Sequence, residues 1–405
     1  MTTWATSQDL VYVEDSPETA ARLRTPRFPA YIETLKNQTA RMVVRTSIGG
    51  RRLRVQLSNA FGKPPLEVGS AHVAVRRKDS AIAPGSDRAL TFSRSSSVVI
   101  PPGGVVVSDP VDLEFAPLSD LTVSLYLPGD TGPPTKHIFG LHTTYVSKEG
   151  DHAGSSEITD ATTTASYFWL SAIHVVAAPD SGTIVALGDS ITDGDRSSTD
   201  TNSMWPAVLA ARMAASKSTA KFAVVNAGIS GNRVLTDSDG IGGKSALSRL
   251  DRDVLSLPGV RWIILLEGIN DAARPGLLGK LVTSEDLIAG HRQIIARAHM
   301  NGIRIAGATL TPANNANPER EAARAGLNHW IRTSGEYDAV IDFEAAVRDP
   351  QNPRRFRDEL QADGLHPNDA GYKAMGNAVD LSIFEGAPVW KPMAPAQQRS
   401  QGARQ

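Results

Sequence analysis

The chain has 405 residues, 41% of them hydrophobic, with 42 Lys plus Arg against 43 Asp plus Glu and no cysteine. That length exceeds what one hydrophobic core usually fills and predicts two domains. The near-zero charge argues against a nucleic-acid partner, the apolar stretches are too short to span a bilayer, and the missing cysteines exclude disulfides, thiolate metal sites and cysteine nucleophiles. The N-terminus, Met1-Thr2-Thr3-Trp4-Ala5, has no basic segment leading into an apolar one. It predicts a cytoplasmic protein, or a secreted or periplasmic one whose signal peptide has been removed.

In chain order, a short helical piece is possible around 16–24. Strand-like runs then follow at 41–48, 52–57, 70–75, 97–100, 104–107 and 121–127. The segments between them are rich in Pro and Gly, as in Gly62-Lys63-Pro64-Pro65 and Pro101-Pro102-Gly103-Gly104. Short strands at this spacing predict an all-β sandwich or jelly roll over residues 1–178. Glu149-Gly150-Asp151-His152 reads as a polar loop, and Tyr167, Phe168 and Trp169 are expected to pack the two domains together. After about residue 180 strands alternate with helices: strands at 184–187, 223–226, 262–266, 303–308 and 339–342, helices at 204–214, 246–256, 284–300, 319–333 and 368–381. Alternation of this kind predicts βαβ units and a parallel sheet, an α/β fold of three-layer, flavodoxin-like form over 179–390. The Gln/Arg/Ser/Gly-rich tail, 391–405, is expected to be disordered.

Four segments could carry chemistry. Gly188-Asp189-Ser190 ends an apolar β-branched run and precedes a helix, which puts Ser190 at the carboxyl end of a sheet strand, where open α/β folds bind ligands. The same pattern fits a serine that only caps the helix. Asp363-Gly364-Leu365-His366-Pro367 sets a carboxylate three residues before a histidine, close enough to fix its tautomer; a solvated Asp-Gly turn with a surface histidine also fits. The glycines of Asn226-Ala227-Gly228-Ile229-Ser230-Gly231-Asn232 permit close approach of a backbone N–H to a ligand, and Asn270 of Gly268-Ile269-Asn270-Asp271 can offer a side-chain amide. Loop glycines and an Asx turn are the plainer readings of these two. Asp189, Asp193 and Asp195 could hold a cation, although the helix dipole favours acidic residues there anyway. His291, His299 and His329 lie on helical stretches and read as surface or packing residues.

Taken together, the four segments resemble the blocks of the SGNH, or GDSL, hydrolase family, in the same order: Gly188-Asp189-Ser190, then Gly231, then Gly268-x-Asn270-Asp271, then Asp363-x-x-His366. One departure is Gly268-Ile269-Asn270-Asp271 in place of the common Gly-Gly-Asn-Asp. The resemblance covers about residues 181–385. It implies Ser190 as nucleophile, His366 as general base and Asp363 as the residue that orients it. It also implies an oxyanion hole from the Ser190 N–H, the Gly231 N–H and the Asn270 amide, with Gly228 a rival to Gly231. No metal or organic cofactor is implied. The wider phrasing is similar to two-domain bacterial acylhydrolases, some like arylesterases associated with xylan degradation. The expected activity is therefore hydrolysis of short acyl or aryl esters through an acyl-enzyme. The substrate would be a small ester or one linked to plant polysaccharide, such as an acetyl or feruloyl group. A lipid esterase or thioesterase, or a carbohydrate-binding protein with a vestigial hydrolase domain, are the alternatives.

Overall fold

The computed structural model describes residues 1–9, 31–238, 241–272, 275–276, 279–314 and 316–385. The helical piece expected at 16–24 and the tail from 391 lie outside the described residues.

Through residue 175 the described strands pair only antiparallel, mainly in two sheets. One sheet runs Thr2–Ala5, Leu170–Val175, Gly50–Ser58, Val111–Phe115, with Val105–Val107 also on Gly50–Ser58. The other is centred on Gln38–Arg45 and Asp120–Leu127, an unbroken ladder from Asp120 opposite Arg45 to Leu127 opposite Gln38. Along Gly50–Ser58, Leu53, Val55 and Leu57 are buried while Arg52 and Arg54 are exposed, the period-two alternation of a strand with one face on a core. Those residues share one apolar cluster with Leu121, Val123 and Leu125 of the other sheet. The loop near Glu149 is tied down by a buried cation: the Arg41 guanidinium donates to the carbonyls of Ser80, Ala153 and Ser155 and to Ser124 Oγ. Burial lowers the Arg41 pKa to about 10, with Asp87 acting in the opposite direction.

Several strands here escaped the sequence pattern, among them Thr2–Ala5, Val111–Phe115, Thr144–Glu149 and Leu170–Val175. Each mixes Thr, Ser, Asp, Glu or His into its apolar positions, so tertiary pairing rather than local hydrophobicity makes it a strand. Tyr167, Phe168 and Trp169 belong to one apolar cluster that also includes Ala223 of the parallel sheet. Tyr167–Phe168 pairs with Lys136–His137, and Tyr167 also lines the boundary cavity.

From Gly182 onward five parallel strands form one sheet in the order Phe222–Gly228, Gly182–Gly188, Val260–Leu266, Arg304–Ala308, Ala339–Ile341. Gly182–Gly188 is buried along its whole length, which explains its continuous apolar sequence. The helices Trp205–Ala215, Ser284–Met300, Pro318–Thr333 and Asp369–Ala378 stand within two residues of their expected starts. The expected helix at 246–256 instead divides, with α-helix over Ala246–Leu250 and a wider π turn over Asp251–Leu255. No described helix is long and apolar enough to cross a membrane.

Strand order reverses between Gly182–Gly188 and Val260–Leu266, so a crevice opens at their carboxyl ends. The first residues of the chain lie against this sheet. Thr2 N–H donates to the Pro258 carbonyl (3.0 Å), Thr183 Oγ1 to the Thr2 carbonyl (2.9 Å) and Val224 N–H to Ser47 Oγ (2.8 Å). A cavity of about 80 Å³ remains along this boundary, lined among others by Trp4, His137, Tyr167, Asp193 and Met204.

Candidate active site

The strand Gly182–Gly188 ends at a glycine because nothing larger fits. A Cβ at Gly188 would collide with Thr192 Oγ1 and the Leu266 carbonyl oxygen. The chain then enters a one-turn helix, Ser190–Asp193, whose N-cap is Asp189. Asp189 Oδ1 accepts from Ile191 N–H at 2.9 Å. Capping thus falls to Asp189 and not to Ser190, which leaves the serine hydroxyl available.

That hydroxyl meets His366. Ser190 Oγ lies 2.9 Å from His366 Nε2, and His366 Nδ1 lies 2.9 Å from Asp363 Oδ2 and 3.1 Å from Oδ1. Asp363 also accepts from the His366 backbone N–H (2.9 Å) and from Arg196 Nε (3.1 Å). Partial burial raises the carboxyl's pKa, but the His366 N–H, its ring and its charge outweigh burial and bring it down to about 2. Asp363 is therefore ionised at any ordinary pH, and its acceptor oxygens fix the Nδ1–H tautomer that leaves Nε2 facing the serine. A second carboxylate, Asp195 Oδ2, stands 3.5 Å from His366 Nε2.

The other two predicted segments are joined to each other beside Ser190. Asn270 Nδ2 donates to the Asn232 carbonyl (2.9 Å), and Asp271 accepts from the N–H groups of Val234 (2.8 Å) and Leu235 (3.0 Å). Gly231 has φ +83°, in the left-handed region that favours glycine. Gly228 N–H is taken by Asn226 Oδ1 at 2.9 Å, and the glycine is needed because a Cβ there would collide with the Asp193 backbone nitrogen.

The three acidic residues suspected of binding a cation point three different ways. Asp189 caps its helix, Asp195 faces His366, and Asp193 binds His137 Nε2 (2.9 Å) together with Ser230 N–H and Oγ. Of the helical histidines, His291 is fully buried, bonded to Tyr337 Oη (2.6 Å) and the Glu267 carbonyl (3.2 Å), and burial lowers its pKa to about 4. His299 pairs with Asp338 at the surface, and His329 is exposed.

Sequence reasoning missed the residue that binds the crevice together. The fully buried Arg249 guanidinium donates to the Gly188 carbonyl (3.0 Å), the Ala227 carbonyl (2.7 Å), Asn232 Oδ1 (2.9 Å), Ser7 Oγ (3.0 Å) and Asp253 Oδ2 (3.1 Å). Glu267 Oε2 lies 3.9 Å from it, also fully buried. Burial first, and then the nearby Asp189, push the Glu267 pKa well above the carboxylate range. Asp189 is likewise lifted by burial, to about 7. Three strand ends thus meet over one arginine and two carboxyl groups that resist ionisation. The advance signal was a charged residue, Glu267, directly after the apolar run 262–266.

The model of the GDSL-like lipase/acylhydrolase family matches residues 186–374, and no curated protein matches. Among solved structures, the chain is similar to a protein assigned as lipolytic in the G-D-S-L family from Desulfitobacterium hafniense DCB-2, at 25% identity and a TM-score of 0.38, over 48% of this chain and 96% of that one. It is similar to a variant of an acetyl-xylooligosaccharide esterase from Geobacillus, at 23% identity and a TM-score of 0.38, over 50% of this chain and 93% of that one. An aryl esterase from M. smegmatis gives 16% identity and a TM-score of 0.37, over 49% of this chain and 96% of that one.

Proposed function

Residues 186–374 are a GDSL-like lipase/acylhydrolase domain, and on that premise we propose that the chain hydrolyses carboxylic esters through a covalent acyl-enzyme on Ser190. The observation that carries this reading is the continuous hydrogen-bonded series from Ser190 Oγ through His366 to Asp363. In the first step His366 Nε2 takes the serine proton as Oγ attacks the ester carbonyl carbon. Asp363, ionised and bonded at Nδ1, stabilises the imidazolium that forms, and Asp195 at 3.5 Å adds a second negative charge on the Nε2 side. The N–H groups of Ser190 and Gly231 and the Asn270 amide receive the oxyanion, each donor contributing about 10²–10³ in rate. Collapse expels the alcohol, protonated by His366. Water, deprotonated by the same ring, then releases the acid. Side chains and water complete every proton transfer, so the cycle requires no cofactor.

Short acyl or aryl esters, including acetyl or feruloyl groups on plant polysaccharide, are the substrates we favour. Asp195, Arg196 and Asp363 surround His366 with charge, a setting that suits a small acyl group on a hydrophilic alcohol better than a long alkyl chain. We also read the five-stranded sheet and its helices as a three-layer, flavodoxin-like unit over 179–390. The two antiparallel sheets, with their common apolar cluster, we read as a sandwich over 1–178.

The test is hydrolysis of p-nitrophenyl esters of increasing acyl length by the wild-type chain and by Ser190→Ala. Wild-type activity is expected to peak at acetyl to butyryl, and S190A to lose all but background. Full activity in S190A refutes the mechanism, and a peak at long acyl chains refutes the substrate class.

A further inference from the structure

His137 belongs to the N-terminal strand pair with Tyr167–Phe168, yet its ring reaches the underside of the Ser190 helix. Its Nδ1 lies 2.7 Å from the Ser7 carbonyl oxygen and its Nε2 lies 2.9 Å from Asp193 Oδ1. Both partners are acceptors, so both ring nitrogens carry protons and the ring is an imidazolium. Asp193 Oδ2 meanwhile accepts twice from one residue, from Ser230 N–H at 2.9 Å and from Ser230 Oγ at 2.8 Å. Two donors on one oxygen and a cation on the other mark Asp193 as a carboxylate. The pair is dry, with the two side chains only 5% and 3% exposed.

The two ends of this chain of contacts are places where the proposed chemistry needs precision. Asp193 closes the one-turn helix that starts at Ser190, and Ser230 directly precedes Gly231. We propose that His137 and Asp193 are positioning residues that hold the Gly231 N–H in register with Ser190, so that the N-terminal region completes the oxyanion hole. This inference rests on the ester-hydrolase reading of the site.

The physical reason is the cost of an unpartnered buried charge. Without the imidazolium, Asp193 either takes up a proton or draws in water, and in both cases its hold on Ser230 weakens. Gly231 then loses its anchor, and an oxyanion donor acts only within a narrow range of distances from the developing charge. The two carboxyl groups facing His137 support its charged form. Asp193 and Asp9 are carboxyl groups beside it, Lys136 precedes it in the chain, and the Tyr167 ring stacks 6.4 Å away. Burial works against the charge, but Asp193 foremost outweighs it and lifts the imidazole pKa to about 9.

The test measures kcat and KM of the full-length wild-type, His137→Gln, Ser230→Ala and Asp193→Asn chains on p-nitrophenyl acetate, with Tm recorded for each. A positioning role acts on the transition state. In H137Q kcat is expected to fall about 10–100-fold with KM within about threefold, since one oxyanion donor is worth about 10²–10³. S230A removes only the Oγ contact and is expected to lose about three- to tenfold in kcat. D193N can accept from Ser230 and donate to a neutral His137, so it is expected to recover most of the wild-type kcat. A folded H137Q with wild-type kcat overturns the proposal. So does wild-type kcat in S230A should H137Q fail to fold, and so does a D193N as impaired as H137Q. A wild-type chain that does not hydrolyse the ester overturns the underlying reading instead.

Discussion

Replacing Arg249 with methionine removes the buried cation on which three strand ends converge while keeping an unbranched side chain of similar reach. Five hydrogen bonds disappear, to the carbonyls of Gly188 and Ala227, to Asn232 Oδ1, to Ser7 Oγ and to Asp253 Oδ2. Breaking a buried ion pair by deleting one partner costs roughly 3–5 kcal/mol. Three features keep the loss inside that range. Asp253 retains two contacts from Arg252, at 2.5 and 2.9 Å, so its charge is not abandoned. The Gly188 carbonyl keeps the Ile229 N–H at 3.0 Å. Glu267, held protonated by burial and by Asp189, leaves no bare charge behind. Asn232 Oδ1 and the Ala227 carbonyl lose a charged donor, at about 1–3 kcal/mol for each buried acceptor left unsatisfied. A loss of about 4 kcal/mol corresponds to a fall in Tm of roughly 8–16 °C for a catalytic region of this size. Differential scanning calorimetry of wild type, R249M and R249K at pH 7 measures it, with R249K expected in between because a point-charge ammonium cannot reproduce the fork of contacts. An R249M Tm within about 2 °C of wild type would refute the view that Arg249 holds the crevice together.

Three further outcomes follow from the carboxyl groups. Asp363→Asn keeps the shape but removes the charge and turns one acceptor oxygen into a donor, so the His366 tautomer is no longer fixed and kcat on p-nitrophenyl acetate should fall about 10²–10⁴-fold. The depressed Asp363 pKa adds a pH signature: its contribution to stability is complete above the unfolded value of about 3.9 and is lost as pH falls through about 2. The Tm gap between wild type and D363N should therefore hold steady from pH 5 to 8 and close only in strong acid; a gap that closes near neutrality contradicts the assignment. Glu267 behaves in the opposite sense. Its folded pKa is raised, so its contribution is complete below the unfolded value and is lost as pH rises through the folded one. Between pH 5 and 8 the wild-type Tm should drop more steeply than that of Glu267→Gln, and parallel curves would rule out a buried, protonated Glu267.

Much of the fold was legible because it is written in local periodicity. The apolar run at 183–187 is a strand buried on both faces, and the helix expected at 284–300 is found there, started by a Thr283–Asp286 capping box. The four site segments were legible for a related reason: each sits where a strand or turn ends, and glycine or asparagine marks such ends in sequence. The strand Thr2–Ala5 was not legible, since four residues of mixed polarity become a strand only by pairing with Leu170–Val175, far along the chain. Arg249 and His137 were not legible either. A basic residue on a helix and a histidine between turns look like surface groups until the fold takes water away from them.

The sequence by itself determined the succession of strands and helices and the residue types offered at each strand end, because backbone periodicity and turn chemistry act between near neighbours. Tertiary structure alone decided which of those groups meet. It assigned the cap to Asp189 and so freed Ser190, gave the Gly228 N–H to Asn226, and set His366 between two carboxylates. It also drew a histidine from the first region of the chain into the support of the second. The physical reason is common to all of these: hydrogen bonds and charges gain their specificity from burial, and burial belongs to the folded chain as a whole.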